Sequence, residues 1–387
     1  MMNNLRALGV GVAVASMIAL AGCSTDAGPG TTDPGQPPAE LSAAAQAAQD
    51  IVDAASVAAD DFVAPGPAVD GSALAGKTVY FIPMALQIPL LSSVGESVTT
   101  ALGNVGASVQ VCDANLNPAD ASSCLSQAID ADAAVVITAG IPEEFAPTSF
   151  AQLSAAGIPW VQGITAPAGA GDPSQVAYVT ADNVKLQSWA TNWVIADSDA
   201  QANVLVIKLT DSAATTAWAD YGILAVYEQA CPDCTVEIVE INSGQLDRLP
   251  SLVSSALVAH PEITHIQSQF DQFLPAVSQG TQSAARDDVR VVSVDGLLST
   301  LQDLEAGGSV KASVGYNIDA IGWYIADAAV RLGAGVEPVQ NLDFPFRRAF
   351  TSQNIGALTL TADAQESGEW FGSADYRSGF LELWGAN

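Results

Sequence analysis

The sequence predicts an α/β fold in which two parallel sheets are each flanked by helices. From Thr78 onward, short β-rich runs alternate with helical segments, which is the pattern of βαβ units and a parallel sheet. The alternation occurs twice, over residues 78–164 and 203–295, with a strand-rich waist between them. The 387 residues also suffice for two or three domains with large cores.

The first 23 residues have the layout of a secretory signal. Arg6 precedes an apolar run over residues 7–20, and the small residues Ala21 and Gly22 lead to Cys23. This end resembles the lipobox of bacterial lipoproteins, in which the new N-terminal Cys receives lipid. We therefore predict that residues 1–22 are a signal peptide and that Cys23 is lipidated. Lipidation would hold the protein at the outer face of the cytoplasmic membrane.

Residues 23–76 are predicted to be a spacer that follows the lipid anchor. Residues 24–40 are rich in Pro, Gly and Thr and have no apolar period, which is typical of a disordered linker. A weak helical pattern follows over residues 41–63 and ends at Pro65-Gly66-Pro67. We expect folded structure to begin near Lys77.

The strands and helices of the two halves are predicted from β-rich runs and from apolar periodicity. The predicted strands are residues 78–83, 108–112, 133–138, 160–164, 177–180, 203–209, 236–241, 263–268, 289–294 and 312–316. The predicted helices are residues 90–102, 118–129, 189–196, 217–229, 249–258 and 319–332.

The charge of the chain excludes some partners. Twelve Lys and Arg residues stand against 42 Asp and Glu residues, and the formal net charge is -30. Nucleic-acid binding depends on clustered basic residues, so nucleic acid is not an expected partner. The small number of Lys and Arg residues also leaves few side chains that could bind an anionic ligand.

Four further cysteines are candidates for disulfides, because the signal predicts export. Only short loops need to close for Cys112 to pair with Cys124 and for Cys231 to pair with Cys234. The Cys-Pro-Asp-Cys sequence has a rival interpretation as a redox site or half of a zinc site. It precedes a strand rather than opening a helix, and no second such motif completes a zinc set, so we favour structural disulfides.

Catalytic motifs are missing from the sequence. We find no GxSxG elbow, no phosphate loop of the GxxxxGK[ST] type, and no GxGxxG after the first strand. His260 and His265 are five residues apart, and Pro261 between them forbids the helix of an HExxH zinc site. The sequence therefore predicts no enzyme, no metal and no cofactor.

The candidate ligand residues lie just after the predicted strands, because ligands bind outside the carboxyl ends of strands in open α/β sheets. Among these residues are Gln87, Ile88, Thr165, Phe270, Asp271, Asp295 and Tyr316. Carboxylates accept hydrogen bonds from hydroxyls, and aromatic faces pack against sugars or flat rings. The mixture suits a small neutral or cationic organic solute. Each residue alone also has a structural interpretation, since Asp295 precedes a Gly in a common turn sequence and Phe270 could lie in the core.

Several short sequences occur in a characteristic order between Lys77 and Phe350, with a further one at the C-terminus. They are Lys77-Thr78-Val79-Tyr80-Phe81-Ile82-Pro83, Gly157-Ile158-Pro159-Trp160-Val161, Ala181-Asp182-Asn183-Val184, Val291-Val292-Ser293-Val294-Asp295-Gly296 and Phe380-Leu381-Glu382-Leu383-Trp384-Gly385. No one of them is specific, but their order and spacing are. The chain resembles the type I periplasmic binding proteins of the ribose-binding branch, which are the solute receptors of sugar-type ABC importers.

The resemblance implies two Rossmann-like lobes that are joined by a hinge of three crossovers and close on a solute. It puts the crossovers near Thr180, Tyr316 and Phe350. The expected division is residues 77–179 plus 317–349 for lobe 1, and residues 180–316 plus 350–387 for lobe 2 with a C-terminal extension.

The resemblance also implies which residues contact the ligand. Gln87 and Ile88 lie where sugar-binding members have an Asn and aromatic residues after the first strand, and Asp271 and Asp295 match acidic positions. Trp218, on a helical segment, lies where those members carry an Arg, although a Trp on a helix also suits simple packing.

The chain departs from the sugar-binding pattern at several of these positions. Ile164-Thr165 stands in place of an Asp-Arg pair, Phe270 in place of an Asn, and Tyr316 in place of a Gln. Such a cleft is more aromatic and less able to form paired hydrogen bonds with vicinal hydroxyls. A cation held by Trp218, Phe270 and Tyr316 near an Asp is an alternative to a sugar.

Three functions are therefore compared. The first is a lipid-anchored, monomeric receptor that delivers a small solute, either sugar-like or aromatic and cationic, to an ABC permease in the membrane. The second is the same fold acting as an extracytoplasmic sensor that presents its ligand to a membrane receptor. The third, a secreted enzyme, lacks a nucleophile or metal cluster, and the first function explains the signal, the spacer and the doubled fold together.

Overall fold

The computed structural model describes residues 40–165, 171–340 and 342–386. The predicted signal peptide and Cys23 lie outside the described residues. Among the described residues, no helix is long and apolar enough to cross a membrane.

The described residues contain eleven strands, and each predicted strand corresponds to one of them. They are β1 (Thr78–Pro83), β2 (Ser108–Val111), β3 (Val135–Ala139), β4 (Trp160–Gly163), β5 (Val176–Val179), β6 (Asn203–Leu209), β7 (Thr235–Ile241), β8 (His265–Ser268), β9 (Arg290–Asp295), β10 (Val310–Tyr316) and β11 (Arg347–Thr351).

The strands form two sheets. The first has the order β2-β1-β3-β4-β5 and is parallel throughout. The second has the order β11-β10-β9-β8-β6-β7 and is parallel except for β11, which runs antiparallel to β10. Strand β11 was not predicted, because Arg347 and Arg348 interrupt its apolar pattern.

Thirteen helices surround the sheets in the described part. They are α1 (Ala43–Ala55), α2 (Pro89–Gly103), α3 (Pro118–Asp130), α4 (Pro147–Ala155), α5 (Asn183–Asp197), α6 (Ala213–Ala219), α7 (Ala225–Ala230), α8 (Leu249–Ala259), α9 (Leu274–Ser283), α10 (Leu298–Glu305), α11 (Ile318–Gly333), α12 (Ala362–Ser367) and α13 (Tyr376–Trp384). A π-helical segment, Asp220–Leu224, joins α6 to α7.

Two lobes result from the way the helices cover the sheets. Alternate residues of β1 face opposite sides, so that Phe81 packs with α2 and α11 while Tyr80 and Ile82 pack with α3 and α4. Lobe 1 is the first sheet with these helices, and lobe 2 is the second sheet with α5 to α10. The predicted α/β class with two helix-flanked parallel sheets is confirmed.

The chain crosses between the lobes three times between β5 and β11. It passes from β5 to α5 at residues 180–182, from β10 to α11 at Asn317, and from the segment after α11 to β11 at residues 342–346. The third crossover therefore ends before Arg347, a few residues earlier than the sequence indicated. These crossovers bring the carboxyl ends of β5 and β10 to the hinge.

Both ends of the described chain differ from the predicted division. Residues 41–76 are not only a spacer, because α1 buries Ala45, Ala48, Val52 and Ala55 against α5. The small Ala side chains made this apolar stripe hard to recognise. The C-terminal helix α13, assigned to lobe 2 by the sequence, packs on α11 of lobe 1 through the stacked rings of Trp384 and Trp323, 5.7 Å apart.

Candidate ligand cleft

Two carboxylates lie side by side at the carboxyl edge of the lobe 2 sheet. Asp271 follows β8 and Asp295 ends β9, and the backbone N–H of Asp271 donates to Asp295 Oδ2 at 3.3 Å. Adjacent parallel strands end at the same edge, which brings these two residues together.

The two carboxylates have different surroundings. Asp271 is buried, and its oxygens accept hydrogen bonds from Ser293 Oγ and, at 2.8 Å, from the backbone N–H of Leu297. These bonds tie β8 to the turn after β9, which makes Asp271 a structural residue of the edge rather than a free acceptor. Asp295 is half-buried and, among the described residues, accepts only the bond from Asp271.

The backbone at Asp295 is held in an unusual conformation. Its φ of 135° lies in a region that residues other than Gly rarely adopt, and such residues cluster at ligand sites. The next residue, Gly296, has φ 70°, and a Cβ there would lie 3.0 Å from Gly315 Cα in β10. Gly296 therefore allows the turn to fit against β10, and the turn presents the Asp295 carboxylate at the edge.

The proximity of the two acids alters their pKa values. Burial raises the pKa of Asp271 to about 6, even though it accepts hydrogen bonds that lower it. Burial and the nearby charge of Asp271 raise the pKa of Asp295 well above its usual range. In the described residues neither acid is paired with a Lys or Arg. The edge thus holds two neighbouring acids without a counter-ion, and the charge of Asp271 opposes the ionisation of Asp295.

Aromatic rings lie beside the acids. Phe270 directly precedes Asp271, and its ring lies 6.3 Å from that of Trp218 and 6.0 Å from that of Phe273, both edge to face. Trp218 and Phe270 are half-buried, whereas Phe273 is fully buried. The first two rings can therefore contact a solute, and Phe273 supports them from the core.

The helix that carries Trp218 starts at a reciprocal cap. Ser212 Oγ accepts from Thr215 N, and Thr215 Oγ1 accepts from Ser212 N, both at 3.1 Å, so the first turn of α6 is fixed. The π-helical segment then begins at Asp220, two residues beyond Trp218. Such segments are frequent at functional sites.

Tyr316 lies at the hinge rather than on an open wall. It ends β10, is buried, and packs edge to face on Phe344 with ring centroids 6.4 Å apart. Burial, and next the charge of Asp295, raise the pKa of its hydroxyl well above the usual value. Its burial therefore argues against Tyr316 as a wall of the cleft that is open to the solute.

The three candidate residues of lobe 1 lie on separate segments, unlike the neighbouring candidates of lobe 2. Gln87 is exposed in the turn after β1, Ile88 is half-buried at the start of α2, and Thr165 is buried after β4. Ile164, just before Thr165, has φ 57°, which marks a second strained position at a carboxyl strand end. In the described part, no hydrogen bond joins these three residues to the candidate residues of lobe 2.

Sequence reasoning missed a buried arginine at the hinge. Arg347 is 5% exposed, donates to the carbonyl of Ala181 at 3.2 Å and to Asp343, and lies 5.6 Å from the ring centre of Trp189. It therefore ties the first crossover to the third. Burial would raise the pKa of Asp343, but hydrogen bonds from Arg347 and Lys185 outweigh this effect and lower it.

A polar cluster on lobe 1 was also missed. Glu143 Oε1 accepts from Gln162 Nε2 at 3.2 Å and from Tyr178 OH at 3.3 Å. Burial and the charge of Glu143 raise the pKa of Tyr178 to about 12. The three residues lie far apart in the sequence on the loop after β3, on β4 and on β5, so only the strand order could have brought them together.

The two predicted disulfides are confirmed. Cys112 pairs with Cys124, and Cys231 pairs with Cys234. The Cys-Pro-Asp-Cys motif follows α7 and precedes β7, in the turn that the sequence indicated. Within the described residues, no group of three or more His, Cys, Asp and Glu residues could hold a metal ion.

Two similar lobes, with crossovers at the edge where the acids and aromatic rings lie, are the architecture of a type I periplasmic binding protein. Proteins of this class hold a small solute between their lobes. The chain belongs to the periplasmic binding protein domain family, whose sequence model matches residues 79–337. It is thus an extracytoplasmic solute-binding protein.

Individual relatives are distant. The ribose import binding protein of Escherichia coli (strain K12) is 22% identical over 236 residues, which are 60% of this chain and 77% of that protein. The 5-methylthioribose transporter solute-binding protein from Thermotoga lettingae TMO, in complex with 5-methylthioribose, is 15% identical with a TM-score of 0.67, and the similarity covers 79% of this chain and 96% of that chain. A sugar ABC transporter protein from Yersinia enterocolitica subsp. enterocolitica 8081 is 19% identical with a TM-score of 0.67, covering 84% and 98%. At these identities the solved structures show the fold alone, and the relatives are transport proteins rather than enzymes.

Proposed function

We propose that the protein is a lipid-anchored, monomeric receptor that binds a small solute with an aromatic or cationic part and delivers it to an ABC permease. The observation that carries this proposal is the Asp295 carboxylate, which lies half-buried beside Asp271 and close to the rings of Trp218 and Phe270.

The electrostatics of the lobe 2 edge favour a ligand that donates hydrogen bonds or carries positive charge. Burial opposes the ionisation of both Asp271 and Asp295, and the charge of Asp271 further opposes that of Asp295. Neither acid has a Lys or Arg partner among the described residues. A cationic or hydroxyl-bearing solute would stabilise the ionised Asp295. The faces of Trp218 and Phe270 would attract the same cation or pack on a flat ring.

The replacement of charged clamps on both lobes argues against an ordinary free hexose or pentose. Related proteins bind ribose or 5-methylthioribose according to their names, but here Ile164-Thr165 and Trp218 occupy positions where sugar-binding members carry charged clamps. A sugar-like solute with an apolar or cationic substituent keeps both the hydroxyl contacts to Asp295 and the aromatic contacts.

A thermal-shift screen of the full chain tests the solute class. The panel contains plain sugars, polyols, nucleosides, amines and aromatic acids. A ligand at 100 times its dissociation constant stabilises the folded state by about 2.7 kcal/mol, which gives a clear shift in melting temperature. We expect a shift from amines or nucleosides; a shift from glucose or ribose alone would contradict the proposed class.

The proposed lipid anchor rests on the sequence around Cys23, outside the described residues. Cys23→Ser should release the protein from the membrane fraction of cells, whereas Ser24→Ala, the matched neighbouring change, should leave it there. Mass spectrometry of the wild-type protein should find lipid on an N-terminal Cys23. An unmodified N-terminus would contradict lipid anchoring and leave the solute proposal intact.

A further inference from the structure

The segment of residues 41–76, which we name the N-terminal splint, begins on lobe 2. Its helix α1 packs along α5, and the backbone N–H of Ser42 donates to Asp199, just beyond the end of α5, at 2.7 Å. At the other end of α1, the carbonyl of Ser56 accepts from Arg348 Nε of β11 at 2.9 Å. The splint therefore runs from the far end of α5 back to the hinge.

The splint then passes from lobe 2 to lobe 1. The backbone N–H of Ala59 donates to the carbonyl of Phe371 at 2.7 Å, and the hydroxyl of Tyr324 on α11 donates to the carbonyl of Val63. The ring of Phe62 packs edge to face on that of Phe380 with a centroid distance of 4.9 Å. Main-chain bonds and ring packing thus fix the splint at the crossing.

The last part of the splint lies along α11 of lobe 1. A Cβ at Gly66 would lie 3.0 Å from the guanidinium of Arg331, so the chain passes directly over that buried side chain. The backbone N–H of Val69 donates to the carbonyl of Leu383 in α13 at 2.9 Å. Leu74, which is fully buried, packs at Gly333, the last residue of α11.

These contacts relate the splint to the two helices that begin at crossovers. Helix α5 starts directly after the first crossover and α11 directly after the second. A rotation of one lobe against the other changes the angle between α5 and α11. A segment bonded along both helices must then bend or lose contacts.

We propose that the N-terminal splint, held in place by α13, is an additional connection between the lobes that limits how far the cleft opens. This device is independent of the solute, because it depends only on the two lobes and on contacts outside the cleft. It would act in the empty receptor as well as in the loaded one.

Two glycines show how closely the splint is fitted. A Cβ at Gly379 in α13 would lie 2.4 Å from the Phe62 ring, and a Cβ at Gly372, where φ is 141°, would lie 1.7 Å from the carbonyl oxygen of Ala59. A methyl group at Gly379 should therefore displace Phe62. A methyl group at Gly103, the last residue of α2, meets no atom within 4 Å and provides the matched control.

The test measures the distance between the lobes in the full chain without solute. Spin labels on unnatural amino acids at the exposed positions Glu144 and Asp247 report the separation of the two carboxyl edges. Phe62→Ala and Gly379→Ala should shift the distribution to longer distances and broaden it, and Gly103→Ala should leave it unchanged. Tyr324→Phe removes only the hydroxyl that holds Val63 and should give a smaller shift in the same direction.

The proposal fails if Tyr324→Phe, Phe62→Ala and Gly379→Ala all keep the wild-type distance distribution while their circular dichroism shows the native fold. Tyr324→Phe keeps the ring and its packing, so it decides the question if the larger changes prevent folding. A solute screen that finds no ligand would not bear on this measurement, because the labels report on the empty protein.

Discussion

The two lobes share one architecture but present different chemistry at the cleft. Lobe 2 offers the Asp295 carboxylate, which is bonded to Asp271, and the rings of Trp218 and Phe270, which pack on each other. Lobe 1 offers an exposed Gln87 and a half-buried Ile88, which belong to a separate turn. The lobe 2 edge is therefore charged and aromatic, while the lobe 1 candidates are neutral.

This difference indicates that the two lobes have different roles in binding the solute. The carboxylate and the aromatic rings are the groups that can give large, specific contact energies, so a solute should bind first to lobe 2. We expect lobe 1 to cover the bound solute and exclude water. Substitutions in one lobe at a time can test this asymmetry.

The largest loss of affinity, apart from that caused by changing Asp295, should come from Trp218→Ala. Removing the indole takes away stacking area at a half-buried position, which at aromatic contact sites costs about 2 kcal/mol or more. Tyr221→Ala is the matched control, because Tyr221 is 66% exposed and lies three residues further along the same helical segment. Calorimetric titration with the solute found by screening should show a weakened Trp218→Ala and an unaltered control. Equal affinities would place the solute away from this helix.

The acid pair should make the empty protein depend on pH. The folded-state pKa of Asp271 is raised to about 6 from 3.8, so its contribution to stability is present below about pH 4 and is lost as the pH rises through 6. Asp295 adds to this loss, because burial and the charge of Asp271 raise its pKa well above the usual value. Asp295→Asn should therefore reduce the loss, which is on the order of 1 kcal/mol per unit of pKa shift. Urea unfolding without solute at pH 4, 5, 6 and 7 compares the variant with the wild type. Parallel pH curves would show that the ionisation of Asp295 does not contribute to this loss.

Lobe 1 substitutions should have the smallest effects. Gln87→Ala and Ile88→Ala alter an exposed and a half-buried side chain, and each should change the affinity by less than about 1 kcal/mol. The same calorimetric titration measures them. A loss as large as that of Trp218→Ala would mean that both lobes contribute equally, and the proposed asymmetry would be wrong.

The sequence predicted the strands well because their signal is local. The β-rich runs of β1 and β6 match their observed bounds, and the rule that ligands bind at carboxyl strand ends brought Asp271 and Asp295 together. The pairing of all four described cysteines followed from short spacings. These features depend on residues that are close in the sequence or on general rules of sheet topology.

The features that the sequence missed depend on contacts between distant residues. The carboxylate of Asp271 accepts hydrogen bonds from Ser293 and Leu297, more than twenty positions away. The sequence alone therefore could not distinguish its role from that of Asp295. Arg347 lies in β11, whose antiparallel pairing with β10 has no local signal. The helix α1 is built on Ala, whose small side chains give weak periodicity, and only the presence of α5 reveals that they are buried.

The central claim is that Asp295 of lobe 2 accepts a hydrogen bond or a cation from the solute, and calorimetric titration of Asp295→Asn tests it most directly. Asp247→Asn, which changes an exposed acid in the loop after β7 of the same lobe, is the control for lost charge. The account predicts that Asp295→Asn weakens binding by about 1 to 3 kcal/mol, or roughly 5- to 150-fold, while Asp247→Asn binds like the wild type. Equal affinity of all three proteins for the solute would contradict the claim.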